Sequence, residues 1–188
     1  MKLKHSLTLT GALTFALYGG PTVAQQNLQA HQHGMAELQV AVSGEQIDVL
    51  LRSPAYNLVG FEHPPRSAEQ HQTVESAVDW LKHTALVDTP QQQCSPEQSD
   101  VLTSWNDPHA DHHDDNHDQS HDHDHSGHSD IEITQRLHCP GLSDTNKLQT
   151  TLFQRFPGLE QLNAQWVSPK GQNGTRLTPG KHRFQLGR

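Results

Sequence analysis

Between His109 and Asp130 the chain reads HADHHDDNHDQSHDHDHSGHSD, a run of eight histidines and seven aspartates with almost nothing else. Neutral imidazole and carboxylate are both ligands for a borderline divalent metal, and close, irregular spacing lets many different sets of donors meet one ion. Zinc takes three or four protein ligands, so such a run can hold on the order of two ions. The candidate ligands are His109, His112, His113, His117, His121, His123, His125 and His128, with Asp111, Asp122 and Asp124 as supporting carboxylates. His113, His117, His121 and His125 recur every four residues and would share one face of a helix, but the intervening Asp and Ser favour non-helical backbone. A loop organised by metal is the better reading. The alternative is a solvated spacer. Spacers favour Gly, Ser, Glu and Lys, and a stretch so rich in histidine is far from that composition.

The aspartates invite a comparison with a calcium loop, which fails. Asp114, Asn116, Asp118 and Ser120 fall at the early ligand positions of an EF-hand. However, Gln119 stands where the turn requires Gly, and His125 where a bidentate Glu is required. Imidazole with carboxylate suits zinc, copper(II) or nickel, and intrinsic affinity ranks copper above zinc, so the residues alone leave the metal open. Outside the tract, His31 and His33 form a second candidate pair on a polar N-terminal lead. His138, next to Cys139, is a third, placed to complete a site at the base of the loop. His63, His71 and His83 read as structural or exposed, with His71 at the edge of a helix's apolar stripe.

No large apolar residue lies between Pro108 and Ile131, so residues 106–130 read as a flexible His/Asp-rich loop that lacks the means to fold alone. Its position must come from the flanking chain. Leu38, Val40 and Val42 alternate with polar residues, as do Ile47, Val49 and Leu51, and Ser43-Gly44 lies between the two runs; this is a half-buried hairpin. The next segment, AYNLVGFEHPPRS, is loop-like with a Pro-Pro stop, yet its Tyr56, Leu58, Val59 and Phe61 imply that it packs down. Ser67 with Gln70 three residues on makes a capping box for a helix ending near Lys82, with Val74, Ala77, Val78 and Leu81 on one face. TALVDT and QQQCS read as short strands around a turn at Pro90.

DVLTSW and IEITQRLHC then form a second hairpin with the tract as its loop. SDTNKLQTTLFQRF reads as a helix carrying Leu148, Leu152 and Phe156, stopped by Pro157-Gly158. LEQLNAQWV and HRFQL supply the last strands. The expected fold is α+β: antiparallel β hairpins packed with two helices in a single domain over residues 25–188, the two halves suggesting a ββαββ pseudo-repeat and hence an internal duplication.

Formal charge is −8, and loss of Lys2 and Lys4 in a cleaved leader would take it to about −10. No basic stripe is present to neutralise phosphates, which argues against nucleic acid and anionic membranes as partners. Mean hydropathy is −0.76, an average diluted by the tract. Residues 1–24 read as a signal peptide, with Lys2, Lys4 and His5 before a moderately apolar core and Thr22-Val23-Ala24 at the cleavage site. The apolar stretch is shorter than the roughly 20 residues a membrane span needs. Export, with a short basic start, points to a bacterial periplasm. In that oxidising setting the two cysteines, Cys94 and Cys139, read as a disulfide rather than a two-thiolate metal site, since neither lies in a CxxC or CxxH spacing. They flank the tract, so the bridge is expected to tie its base shut. The sequence contains no HExxH, GxSxG, GxxxxGK[ST] or GxGxxG, and a multi-histidine loop does not supply the rigid open site a metal-bound water needs. The chain reads as a binder, not an enzyme.

HQHGMAELQVAVSG, SPAYNLVGFEHPPRS, the tract, LFQRFPGLEQLNAQWV and GQNGTRLTP together resemble the zinc-regulated periplasmic protein family, ZrgA-like, over nearly the whole mature chain. The resemblance implies a periplasmic zinc-binding protein that assists zinc acquisition beside an ABC-type zinc importer. The tract histidines match that family by composition rather than by register. The resulting expectation is zinc capture and delivery. A copper or nickel buffer for detoxification, or an envelope interaction module using AYNLVGF as its contact surface, are the competing readings.

Overall fold

A computed structural model of the chain describes residues 32–106 and 129–187. Residues 1–24, expected to be a signal peptide, and His31, the eight tract histidines, Asp111, Asp122 and Asp124 lie outside the described residues.

Period-two alternation produces the first hairpin as read. In β1 (Met35–Ser43) Ala36, Leu38 and Val40 point inward, and in β2 (Gln46–Pro54) Ile47, Val49 and Leu51 do so. Ser43 pairs with Gln46 across a two-residue turn whose first residue, Gly44, has φ +61. A positive φ at that position is what a right-twisted hairpin asks for, and glycine adopts it without strain. Pro54 ends β2, and the chain turns at once into a short helix, α1 (Ala55–Val59), where a loop was expected. Ala55, Leu58 and Val59 are buried, so the segment does pack down.

The second helix, α2 (Ala68–His83), starts where the capping signal places it: Ser67 Oγ accepts from Gln70 N, and Gln70 Oε1 reaches back to accept from Arg66 N. Only Ala77 and Leu81 of this helix are buried. Its C-terminal end is held mainly by Gln135, a buried side chain on the sheet. Gln135 Nε2 donates to the carbonyls of Leu81 and Thr84, and its Oε1 accepts from Leu86 N.

The remaining strands are β3 (Val87–Asp88), β4 (Ser95–Thr103), β5 (Asp130–His138), β6 (Lys147–Thr150), β7 (Gln161–Ser168), β8 (Gly171–Leu177) and β9 (Arg183–Gln185). Among the described residues six of the nine strands form one sheet in the order β4-β5-β2-β1-β7-β8; the other three form a small sheet in the order β3-β6-β9. All pairings are antiparallel except β1 with β7. The α+β class therefore holds, with one parallel pair, β1 with β7, inside the large sheet. The core lies on one face of the large sheet, where Leu38, Ile47, Leu51, Ile131, Ile133 and Leu137 meet Leu81, Leu86, Leu148, Leu152 and Phe156. On its other face Gln39, Ala41, Leu50, Asp100, Thr134 and Val167 line an open groove of about 900 Å³.

Three expectations are corrected. Leu148, Leu152 and Phe156 are buried as read, but the run is not one helix: residues 147–150 form β6, and only α3 (Leu152–Arg155) is helical. A spacing of four residues fits a strand followed by one helical turn as well as a continuous helix. Here Thr150 and Thr151 hydroxyls bind the carbonyls of Leu86 and Ala85, which draws the segment onto the second sheet. QQQCS is not a strand paired across Pro90; β3 pairs with β6 instead. The described elements also do not repeat as ββαββ, because β6 precedes a four-residue α3 where the first half has the sixteen-residue α2.

Candidate metal-capture site

The tract connects two strands that lie side by side. β4 and β5 are antiparallel neighbours, with Thr103 opposite Ile131 at one end and Ser95 opposite His138 at the other. The chain leaves β4 through a 3-10 turn at Ser104–Asn106 and returns at Ser129, so the loop proper is shorter at both ends than residues 106–130. Both feet are fastened to the scaffold. Trp105 Nε1 donates to the carbonyl of Glu62 at 3.0 Å, and the Ser129 carbonyl accepts from Ala55 N at 2.7 Å. Ser104 Oγ adds a longer contact to the carbonyl of Asp130.

This geometry corrects the reading of the disulfide. Cys94 and Cys139 are bonded, with Cα atoms 4.1 Å apart. Yet Cys94 precedes the start of β4 and Cys139 follows the end of β5, so the bridge closes the end of the hairpin away from the tract. Nine residues of strand separate the two ends, about 27 Å at the usual rise. His138 goes with it, exposed at the far end, and is not at the base of the loop. Flanking in sequence does not say which end of a hairpin is flanked.

What does gather near the tract's feet is the segment following β2 and the start of the described N-terminal lead. His33 stacks on Tyr56, ring centroids 4.2 Å apart and planes 13° from parallel, and its Nε2 lies 3.0 Å from Glu62 Oε1. Phe61 stacks between His63 and Trp105, at 5.1 and 5.9 Å, and His63 Nδ1 contacts the carbonyl of Pro64. Asn57, buried in α1, fixes the lead that carries His33: its Oδ1 accepts from Gly34 N at 2.6 Å and its Nδ2 donates to Met35 O and to Ser53 Oγ. Gly34 has φ +83, and a Cβ there would press on the Glu160 side chain. Gly158 leaves room on the other side, since a Cβ would come within 2.9 Å of the Asn57 carbonyl. HGM of the lead, AYNLVGF and RFPGLE thus meet at one buried amide.

The AYNLVGF segment is therefore mostly internal. Tyr56 is its one large exposed apolar side chain, and His33 covers part of that. His71 and His83 are exposed on α2, the latter beside Asp79. Among the described residues no three His, Cys, Asp or Glu side chains cluster as a complete metal site. Among the same residues, no helix is long and apolar enough to cross a membrane.

Sequence reasoning named His33 but missed Glu62 and Asn57. Glu62 lies 29 residues from His33, in a Pro-flanked loop, and no spacing rule joins them. The description of ZrgA family zinc uptake proteins matches this chain over residues 30–186. The chain belongs to that family. The match starts one residue before His31 and takes in the His33 cluster, both feet of the tract and the last strand. Comparison with curated proteins gave no match. Membership of that family gives the chain a role in zinc uptake.

Proposed function

We propose that this protein captures zinc in the periplasm with the tract between His109 and His128 and delivers it to an ABC-type zinc importer, without catalysing a reaction. The observation that carries the reading is the tract's donor set, eight imidazoles among carboxylates, joined to a scaffold that fastens both its ends. Membership of a zinc uptake family supports zinc as the cargo. Many interchangeable ligands give fast capture and fast release, which suits a carrier better than a store. The leader at residues 1–24 and the Cys94–Cys139 bond support an oxidising compartment. Imidazole binds metal only when neutral, so capture weakens as the pH falls below about 6.5.

Calorimetric zinc titration of the mature chain, beside a variant with all eight tract histidines changed to asparagine, tests this. The variant is expected to lose most of the zinc equivalents. Equal uptake by both would end the reading. Because the same donors rank copper above zinc in intrinsic affinity, a buffer for copper or nickel is the second reading. Expression that rises in metal excess rather than in zinc starvation would favour it.

A further inference from the structure

We propose that His33 Nε2 and Glu62 Oε1 form a divalent-cation site of their own, borne by the folded scaffold beside the tract's first foot. This deepens the zinc-capture reading and rests on zinc being the cargo. The two atoms are 3.0 Å apart. Zinc–nitrogen and zinc–oxygen bonds of about 2.0–2.2 Å at a tetrahedral angle place such donors about 3.3–3.5 Å apart. The pair needs to open by only a few tenths of an ångström to admit an ion, within reach of a small rotation of the Glu62 carboxylate. Bound through Nε2, the imidazole carries its remaining proton on Nδ1, and zinc stands where a hydrogen bond now links ring and carboxylate.

A surface His–Glu pair is ordinarily a weak ion pair with long side chains free to part. This pair differs because each partner is held from behind. Stacking on Tyr56 fixes the plane of the His33 ring, and Asn57 fixes the backbone of the next two residues at Gly34 N and Met35 O. Glu62 is held through its own carbonyl by Trp105 Nε1. The His33 side chain is 50% exposed and that of Glu62 18%, so the imidazole reaches solvent while the carboxylate is set deeper in the surface. Preorganised ligands with open positions suit an ion that must arrive with some ligands and leave with others. Two protein ligands hold zinc weakly, and the remaining positions fall to water or to the group that brings or takes the ion. The site is then a transfer point, distinct from the tract's capacity.

The test uses the full mature chain with the eight tract histidines changed to asparagine, titrated with zinc alone by calorimetry and followed through the ¹⁵N shifts of the His33 ring. One weak equivalent is expected to remain, with the His33 Nε2 signal moving on saturation. Glu62→Gln keeps the size of the side chain and a polar atom facing His33 but removes the charge; it is expected to weaken that equivalent at least tenfold, as is His33→Asn. Circular dichroism of each variant identifies any that has not folded, and the isosteric Glu62→Gln guards against that outcome. No residual zinc, or residual binding that neither substitution weakens and that leaves the His33 signal still, overturns the scaffold site. Zinc uptake by the unsubstituted chain would in that case leave the capture reading standing. Failure of the unsubstituted chain to take up zinc would end the capture reading itself.

Discussion

Asn57 shapes the end of the molecule where the tract is rooted. It satisfies Gly34 N, Met35 O and Ser53 Oγ while its own carbonyl faces Gly158. Replacing it with Ala would leave a buried N–H and a carbonyl unpaired, and the expected loss is about 2–4 kcal/mol in urea unfolding, against roughly 0–1 kcal/mol for a surface pair. Because the lead that carries His33 hangs on it, the same variant should broaden the His33 ring signals even where the fold survives. Asp88 supplies a pH-dependent test elsewhere. Burial raises its carboxyl above the ordinary aspartate value, and hydrogen bonds from the backbone of Cys94, Thr89 and Gln93 only partly offset this. An acid with a raised folded value binds its proton more tightly when folded. Its contribution to stability is therefore fullest below the unfolded value near 4 and fades as the pH rises through the folded one. Asp88→Asn should flatten that part of the Tm-against-pH profile on the acidic side, and an unchanged slope would refute it. Neither residue was legible beforehand. Asn57 and Asp88 carry no spacing signal of their own, and only the folded contacts to Gly34 and Met35, or to the turn that ends at Cys94, give them these roles.

At the level of elements, hairpins and capped helices were legible because their signals are local. Alternation fixes β1, β2 and β5, and Ser67 with Gln70 fixes the start of α2. What a local signal does not carry is which elements pair. Nothing in SDTNKLQTTLFQRF announces that Leu148 belongs to a strand, since β6 exists only because β3 and β9 lie on either side of it. The tract's place at a hairpin end was likewise legible, while the end closed by the disulfide was misread. That correction has a consequence. Changing both Cys94 and Cys139 to Ala removes a crosslink spanning 45 residues, which chain entropy values at about 4 kcal/mol. The expected outcome is a large fall in Tm with the zinc stoichiometry of the folded protein unchanged, because the bridge lies at the opposite end from the tract. A fall in stoichiometry would place the bridge in the metal chemistry instead. The same sheet offers a second test in Gln135, whose three bonds anchor the end of α2. Gln135→Leu fits an apolar core by size but takes this partner from Thr84 O and Leu86 N, while Leu81 O keeps Ser99 Oγ, and should cost about 3 kcal/mol. Were α2 held chiefly by its apolar face, the loss would be small.

For the molecule as a whole, the proposed function divides labour: a sheet and its helices would provide stability, and a donor-rich insertion would provide capacity. The insertion enters and leaves between adjacent paired strands, Thr103 opposite Ile131, so the fold does not depend on the length of chain between them. Loop entropy makes this quantitative. Replacing residues 107–128 by a four-residue turn shortens the closed segment roughly fivefold, which favours the folded state by about 1.5 kcal/mol if the segment adds no contacts of its own. Urea unfolding of the shortened chain should therefore give a slightly higher midpoint with the same slope, and calorimetry should show the loss of all but the weak scaffold equivalent. A lower midpoint would mean that the insertion packs on the scaffold and that the division of labour is false. The pH dependence supplies an internal control. Zinc capacity of the intact chain should fall between pH 7 and pH 5 as imidazoles take up protons, while the shortened chain, stripped of half of the chain's 16 histidines, should lose far less over the same interval. If both chains lose zinc in parallel, the carboxylates or the scaffold, and not the tract's imidazoles, set the capacity.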